Sequence, residues 1–241
     1  MPRKGSYSRV MSAPKIVIDV PAAAVPLALA DLHRSLAVDT LVRIAVAPGT
    51  ADSPAPALDS LIEGGGFAAN PPSRYRRLRT LPDYVGPEMR VLLVGLNPSL
   101  YSADAGVGFA RPGNRFWPAM MAAGLVDVAR EPRRMLIEHR IGMTDLVKRA
   151  TARADELDIA EYRHGYERLH SLVTWLQPTV LCIVGLSGWR AAVDRRAVAG
   201  PQAESIGSTI VYVMPNPSGL NAHATIDSLA DHFRAVNELA G

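Results

Sequence analysis

The sequence predicts an α/β protein with three αβα layers around a mostly parallel central sheet. Three apolar runs, residues 90–94, 179–184 and 209–214, are rich in β-branched residues, as strands buried on both faces are. Each is followed by a turn marked by glycine or proline, and then by a helical segment. Strand, turn and helix in alternation require helices on both faces of a parallel sheet.

The first 80 residues look different. A polar basic tail precedes a β-like run at residues 16–20 and a helical pattern over residues 27–38. Residues 48–73 carry Gly64-Gly65-Gly66 and prolines 48, 54, 56, 71 and 72, and read as loop or linker. Residues 1–80 are therefore expected to be a partly irregular extension, and residues 81–241 the domain that carries the site. In that domain a helix is expected over residues 115–123, with Pro118 tolerated in its first turn. Another covers 159–176, opened by Asp158 and Glu161 at capping-box spacing and stopped by Pro178. In the last helix Ile226, Leu229, Ala230, Phe233, Val236 and Leu239 fall on one face.

Composition narrows the function classes. At 241 residues and 48% hydrophobic content the chain suits one globular domain with an appendage. Asp19, Pro21 and Pro26 break the longest early apolar run, and residues 22–30 lack a clean signal-peptide core, so no membrane span or export is expected and a cytoplasmic place is. A single cysteine, Cys182, excludes a disulfide framework and a four-cysteine cluster, and its apolar run marks it as a buried structural thiol. Net charge is +3, and of 26 basic residues only Lys4, Lys15 and Lys148 are lysines. The arginine excess suits phosphate contacts and equally suits a genome rich in arginine codons.

Sites in such folds lie at the carboxyl ends of the strands. Two loops stand there: 95–100, Gly-Leu-Asn-Pro-Ser-Leu, and 215–221, Pro-Asn-Pro-Ser-Gly-Leu-Asn. Each combines a polar amide with rigid proline, the material of a preorganised loop. Taken together, Gly95-Leu96-Asn97-Pro98, the segment Gly108-Phe109-Ala110-Arg111-Pro112-Gly113-Asn114-Arg115-Phe116-Trp117, and Asn216-Pro217-Ser218-Gly219-Leu220 resemble the signature of the Mug/TDG family. These are the mismatch-specific uracil and thymine members of the uracil-DNA glycosylase superfamily. The resemblance covers residues 81–236 and leaves the first 70 residues untouched.

The resemblance implies a monofunctional glycosylase of base excision repair that flips uracil, and by extension thymine or cytosine adducts opposite guanine, out of double-stranded DNA. Asn97 matches the residue whose amide oxygen positions the attacking water, and Asn216 the donor toward the departing base. Gly95, Leu96, Pro98, Ser102 and Phe109 form the base pocket, with Phe109 as the stacking aromatic. Gly219, Leu220 and Asn221 match the wedge and the contact to the opposite strand, with Leu220 filling the vacated space. Arg111, Arg115 and Ser218 are expected at phosphates. The resemblance further implies a monomer, no metal, no organic cofactor and a bacterial, nucleoid-associated setting. No lysine lies in either loop, which argues against a Schiff-base step.

Ser99 departs from the usual glycine, Tyr101 and Asp104 stand where small residues are common, and Ala222 replaces a frequent wedge arginine. Asp104, seven residues after Asn97, is considered as a stronger base for the water, beside its reading as a turn aspartate. Arg74, Tyr75, Arg76, Arg77 and Arg79 form a basic-aromatic cluster, either a second DNA contact or a solvated linker. Trp117 and Trp175 are expected in the core and Trp189 partly exposed. His223 is the histidine that borders a loop, and no histidine pair has metal spacing. A DNA-binding damage sensor with little catalysis is the alternative reading, drawn from the Ser99 and Ala222 departures.

Overall fold

Alternate residues of the apolar runs face opposite ways, and in the computed structural model, which describes residues 13–46 and 56–241, that alternation builds two cores on one sheet. Strands β5 (Val91–Gly95), β6 (Ile141–Asp145), β7 (Val180–Val184) and β9 (Ile210–Met214) are parallel, and the two-residue β8 (Gly200–Pro201) is antiparallel at the edge, in the order β6-β5-β7-β9-β8. Val91, Leu93, Val180, Cys182, Tyr212 and Met214 face α4 (Phe116–Ala122), α5 (Pro132–His139) and α8 (Ile226–Ala240). Leu92, Val94, Leu181, Ile183, Val211 and Val213 face α6 (Ile159–Leu176) and α7 (Leu186–Ala192). Fully burying each such side chain is worth roughly 1.5–3 kcal/mol. The three-layer αβα arrangement is thus the one that the sequence predicts. The Asp158–Glu161 capping box forms, with Glu161 N donating to Asp158 Oδ1 at 2.9 Å and Asp158 N to Glu161 Oε2 at 3.0 Å. Cys182 is buried, and burial raises its thiol pKa.

The linker reading of residues 48–73 is corrected where the structure describes them; Pro48 and Pro54, like the basic tail, lie outside the described residues. A second sheet, ordered β1-β2-β4-β3, is made of β1 (Lys15–Ile18), β2 (Leu41–Val46), β3 (Phe67–Asn70) and β4 (Arg74–Arg77). Helices α1 (Val25–Ser35) and α2 (Leu58–Gly64) cover one side of it, over a core of Val25, Leu29, Val42, Ile44, Leu61, Ile62 and Phe67. The glycines are part of the design rather than slack. Gly66, at φ +85°, turns α2 into β3, a conformation that a side chain would strain.

This unit is joined to the main sheet by buried polar groups. Asp83 accepts from Lys148 Nζ at 2.8 Å, Arg168 Nη1 at 2.7 Å and Thr144 Oγ1 at 2.5 Å, while Asp83 N donates to Gly64 O at 2.8 Å. Burial alone would raise the Asp83 carboxyl, but Arg168 and Lys148 outweigh it and hold the group below the usual carboxylate range. Two tryptophan expectations also change. Trp189 is buried against Tyr166, because α7 folds back onto the sheet, and Trp175 is half-buried between the main core and the second sheet. Among the described residues no helix is long and apolar enough to cross a membrane.

Candidate active site

The carboxyl ends of β5, β6, β7 and β9 open into a cleft of about 800 Å³, lined in part by Leu96, Asn97, Pro98, Ser102, Phe109 and Asn216. Its floor is stitched by backbone bonds between the loops after β5 and β6. Thr151 N donates to Pro98 O at 3.1 Å, Leu100 N to Thr151 O at 3.1 Å, and Val147 N to Leu96 O at 2.9 Å. Proline at 98 fits because the loop needs its carbonyl and no donor there. Ser99, the departure from glycine, caps helix α3 (Leu100–Ala105): its hydroxyl accepts from Ser102 N at 3.1 Å. Ser102 is buried and its hydroxyl accepts in turn from Ala110 N at 3.3 Å, tying α3 to the Phe109 segment.

Asn97 is held by its amide nitrogen, which donates to Thr151 Oγ1 at 2.7 Å, Arg149 O at 3.0 Å and Pro98 O at 3.3 Å. Its carbonyl oxygen accepts nothing among the described residues and is left as an acceptor for a donor in the cleft. Asn216 is held the other way round. Its Oδ1 accepts from Ser218 N at 2.9 Å, which leaves the amide N–H groups to donate. Phe109 lines the same cleft and, at φ +57°, stacks one face on Phe116 with centroids 4.0 Å apart and planes 10° from parallel.

The wedge candidates stand at the rim. Leu220 is 86% exposed, an unusual position for a leucine with no core to join. Asn221 Nδ2 donates to Asn216 O at 2.9 Å, and Gly219 lies so close to the turn after Arg111 that a Cβ there would sit 2.8 Å from Gly113 O. Arg115, expected at a phosphate, is engaged inside the protein. Its Nη1 donates to Ser218 O at 3.2 Å and Asn221 O at 3.0 Å, and its backbone N to Pro217 O at 2.9 Å, so it braces the rim loop. Arg111 is exposed on the cleft wall, and Ser218 Oγ accepts from Leu220 N at 3.3 Å.

Asp104 does not enter the cleft. Helix α3 turns it outward, where Arg79 Nε and Nη2 donate to its two oxygens at 2.6 and 2.5 Å and hold its carboxyl below the usual range. The acidic residue that sequence reasoning missed is Asp145, at the end of β6 and in register with Gly95. It is 8% exposed and lines the cleft, and burial above all pushes its carboxyl up to about 6. No sequence signal marked it, because Ile-Gly-Met-Thr-Asp has too few β-branched residues to stand out as a strand.

The basic-aromatic cluster is neither one surface nor a linker. Strand register places Arg74 and Arg76 with Lys15 and Arg43 on the sheet face opposite Ile44, Val42 and Tyr75. Arg77 Nε instead donates to His33 O at 3.3 Å, and Arg79 is spent on Asp104. Asp127, Glu138 and His139 come together at the surface with the spacing of a metal set, but Arg134 already bridges the two carboxylates at 2.6 and 2.8 Å. His223 is exposed beside the rim loop, where its backbone N donates to Asn221 Oδ1 at 3.2 Å.

Residues 82–240 match the profile of the Uracil DNA glycosylase superfamily. Among solved structures, the NMR solution structure of a Methanosarcina acetivorans protein provisionally named a uracil DNA glycosylase is 22% identical. That alignment covers 66% of this chain and 98% of the other, with a TM-score of 0.47. With the profile spanning well over half of its length and the cleft at the carboxyl ends of its parallel strands, the chain belongs to the uracil DNA glycosylase superfamily.

Proposed function

We propose that the protein is a monofunctional glycosylase of the Mug/TDG type, which extrudes uracil opposite guanine from duplex DNA and hydrolyses its glycosidic bond in base excision repair. The observation that carries this reading is the locked amide of Asn97, whose free carbonyl oxygen shares the cleft with the open face of Phe109. A flipped base stacks on Phe109 while a water held by Asn97 attacks the anomeric carbon. An amide is a weak base, so positioning supplies most of the rate and the chemical step is slow. Asn216 N–H groups donate to charge developing on the base. Leu220 fills the space that the base leaves and offsets part of an unstacking cost of a few kcal/mol.

A G·U pair opens more easily than a Watson–Crick pair, which is the source of the proposed mismatch preference. Arg111 meets phosphate at the cleft, and the Lys15, Arg43, Arg74 and Arg76 face is a second place for the DNA backbone. Lys148 is buried on Asp83, which supports simple hydrolysis over a Schiff-base route. We further propose a monomer that needs no cofactor, with residues 1–80 as an appendage to the 81–241 catalytic domain.

The test is single-turnover cleavage of labelled duplexes carrying G·U, A·U or G·T, and of single-stranded uracil, with alkali to reveal abasic sites. Preferential G·U cleavage that Asn97→Ala abolishes is the expected result. Salt-sensitive duplex binding with no cleavage of any substrate would move the protein to the damage-sensor reading.

A further inference from the structure

Residues 78–83 lead from β4 of the second sheet to the main sheet, and two consecutive residues there hold the two loops that meet at Asn97. Arg79 pairs with Asp104 on α3, the helix that follows Asn97-Pro98-Ser99. Thr80 reaches the loop after β6, where its hydroxyl donates to Lys148 O. Its methyl group packs at Gly66, where an added Cβ would fall 3.2 Å from it. Branching at Cβ thus lets one stiff side chain touch both units. The Arg79–Asp104 pair is about half exposed and screened by water, so it restrains α3 only weakly. The Thr80 bond is of another kind. Thr80 and Lys148 are both buried, and the Lys148 carbonyl accepts from no other donor among the described residues. A buried carbonyl stripped of its donor turns toward another.

The residue after Lys148 supplies an acceptor to Asn97. Arg149 O takes the Asn97 amide at 3.0 Å, and two residues further on Thr151 Oγ1 takes it at 2.7 Å. The Arg149 side chain is fixed from outside, on Glu161 at 2.6 and 2.9 Å and on Glu156 O at 2.7 Å. With the peptide before it pinned by Thr80 and its side chain pinned by Glu161, the direction of the Arg149 carbonyl is set. Asp83 holds the Lys148 ammonium, but at the end of a flexible four-carbon stem that leaves the backbone free to turn. Packing does not supply the restraint either. Residues 148–150 border a second cavity, of about 600 Å³, which Ile62, Phe67, Leu78 and Thr80 also line. The loop that carries the acceptor has free space beside it, and the Thr80 hydroxyl is the bond that fixes its backbone.

We propose that Thr80 is a positioning residue for Asn97: it fixes the Lys148–Arg149 peptide, which aims the Arg149 carbonyl at the Asn97 amide and keeps the amide oxygen turned into the cleft. The consequence for chemistry rests on the glycosylase reading. Thr80 lies outside the cleft lining and acts only through the Arg149 carbonyl. An amide that wavers has its oxygen on the attacking water for less of the time, so the loss falls on the chemical step and not on binding of the duplex. A residue of the extension thus governs the rate of a reaction carried out in the other unit.

The test compares Thr80→Val, Thr80→Ser and Thr80→Ala with wild type. Valine keeps the shape and loses the hydroxyl, and serine keeps the hydroxyl and loses the methyl. Alanine loses both and stands in for valine should that variant not fold. In single-turnover G·U cleavage with enzyme in excess, Thr80→Val is expected to lower the saturated rate about tenfold, with the same pH profile. The half-saturating enzyme concentration should shift less than about twofold. Thr80→Ser should stay within about twofold of the wild-type rate, even where the missing methyl lowers its melting temperature. A serine variant as slow as the valine variant would make Thr80 a packing residue and overturn the proposal, as would a valine variant as fast as wild type. The second readout needs no cleavage: solvent exchange of the Asn97 side-chain amide protons in isotope-labelled protein, assigned by their loss in Asn97→Ala. Exchange should be faster in Thr80→Val than in wild type and Thr80→Ser. If no protein cleaves any duplex and that difference holds, the glycosylase reading fails and the positioning stands. Equal exchange in all three overturns the positioning, whatever the rates.

Discussion

Thr151 Oγ1 accepts from the Asn97 amide at 2.7 Å, and this bond tightens an orientation that the acceptor-only carbonyls of Arg149 and Pro98 set. Without it the amide keeps only the carbonyls of Arg149 and Pro98, at 3.0 and 3.3 Å, and rotates more freely. Thr151→Val, which keeps the shape of a buried side chain, is expected to slow single-turnover G·U cleavage about three- to tenfold, near 1 kcal/mol. The midpoint of urea unfolding and the pH profile should hardly move. A variant as fast as wild type would remove Thr151 from the positioning of Asn97.

Arg115 holds the rim loop through the carbonyls of Ser218 and Asn221. Charge-assisted bonds to two carbonyls of one short loop fix its shape, and with it the placement of Leu220. The wedge matters only where a base must leave a stacked duplex. Arg115→Ala should therefore cut duplex G·U cleavage about tenfold while single-stranded uracil loses less than about threefold, and Leu220→Ala should show the same split. Equal losses on both substrates would make Arg115 a plain phosphate contact, as its place in the sequence first implied.

The central sheet was legible because β5, β7 and β9 are runs of Val, Ile and Leu, buried on both faces. The apolar stripe of α8 and the capping box of α6 were equally plain. Strand β6 was not: Gly142, Met143 and Thr144 break the apolar pattern, and Tyr84 bridging Met143 supplies from outside the contacts that its own composition does not advertise. The second sheet was hidden by Gly64-Gly65-Gly66 and Pro71-Pro72, breakers in sequence that here end α2 and join β3 to β4. The site shows the same limit. Asn97 and Asn216 stand out because motif and strand end are local, whereas local spacing offers Asp104 alone as an acid, beside its reading as a turn aspartate. The acid in the cleft, Asp145, becomes a neighbour of Gly95 only through strand register.

Asp83 accepts from Lys148, Arg168 and Thr144 of the main-sheet unit while its backbone N donates to Gly64 O beside the second sheet, with all three charged groups 3–5% exposed. Removing the anion strands two buried cations, and losses of this kind reach about 3–5 kcal/mol. Asp83→Asn should therefore lower the guanidinium midpoint strongly at pH 7. The Asp83 carboxyl is held below its ordinary value, so its contribution is present above that value and is lost as pH falls through the folded-state value. The gap between variant and wild type should accordingly narrow in acid. A gap independent of pH would mean that the loss comes from packing rather than charge.

Asp145 carries the opposite sign. Its folded-state value of about 6 stands above the 3.8 expected of a free aspartate, so the folded protein binds this proton more tightly than the unfolded chain does. Stability is then highest below the unfolded value and declines as pH rises through about 6, where the buried group must ionise. A shift of this size corresponds to at most about 3 kcal/mol. Asp145→Asn removes the cost, so it should raise the unfolding free energy at pH 8, by about half as much at pH 5, and hardly at all below the unfolded value, in urea titrations across that range. An Asp145→Asn variant less stable than wild type at pH 8 would show that the ionised carboxylate has a favourable partner, and that the neutral acid is not the form the fold prefers.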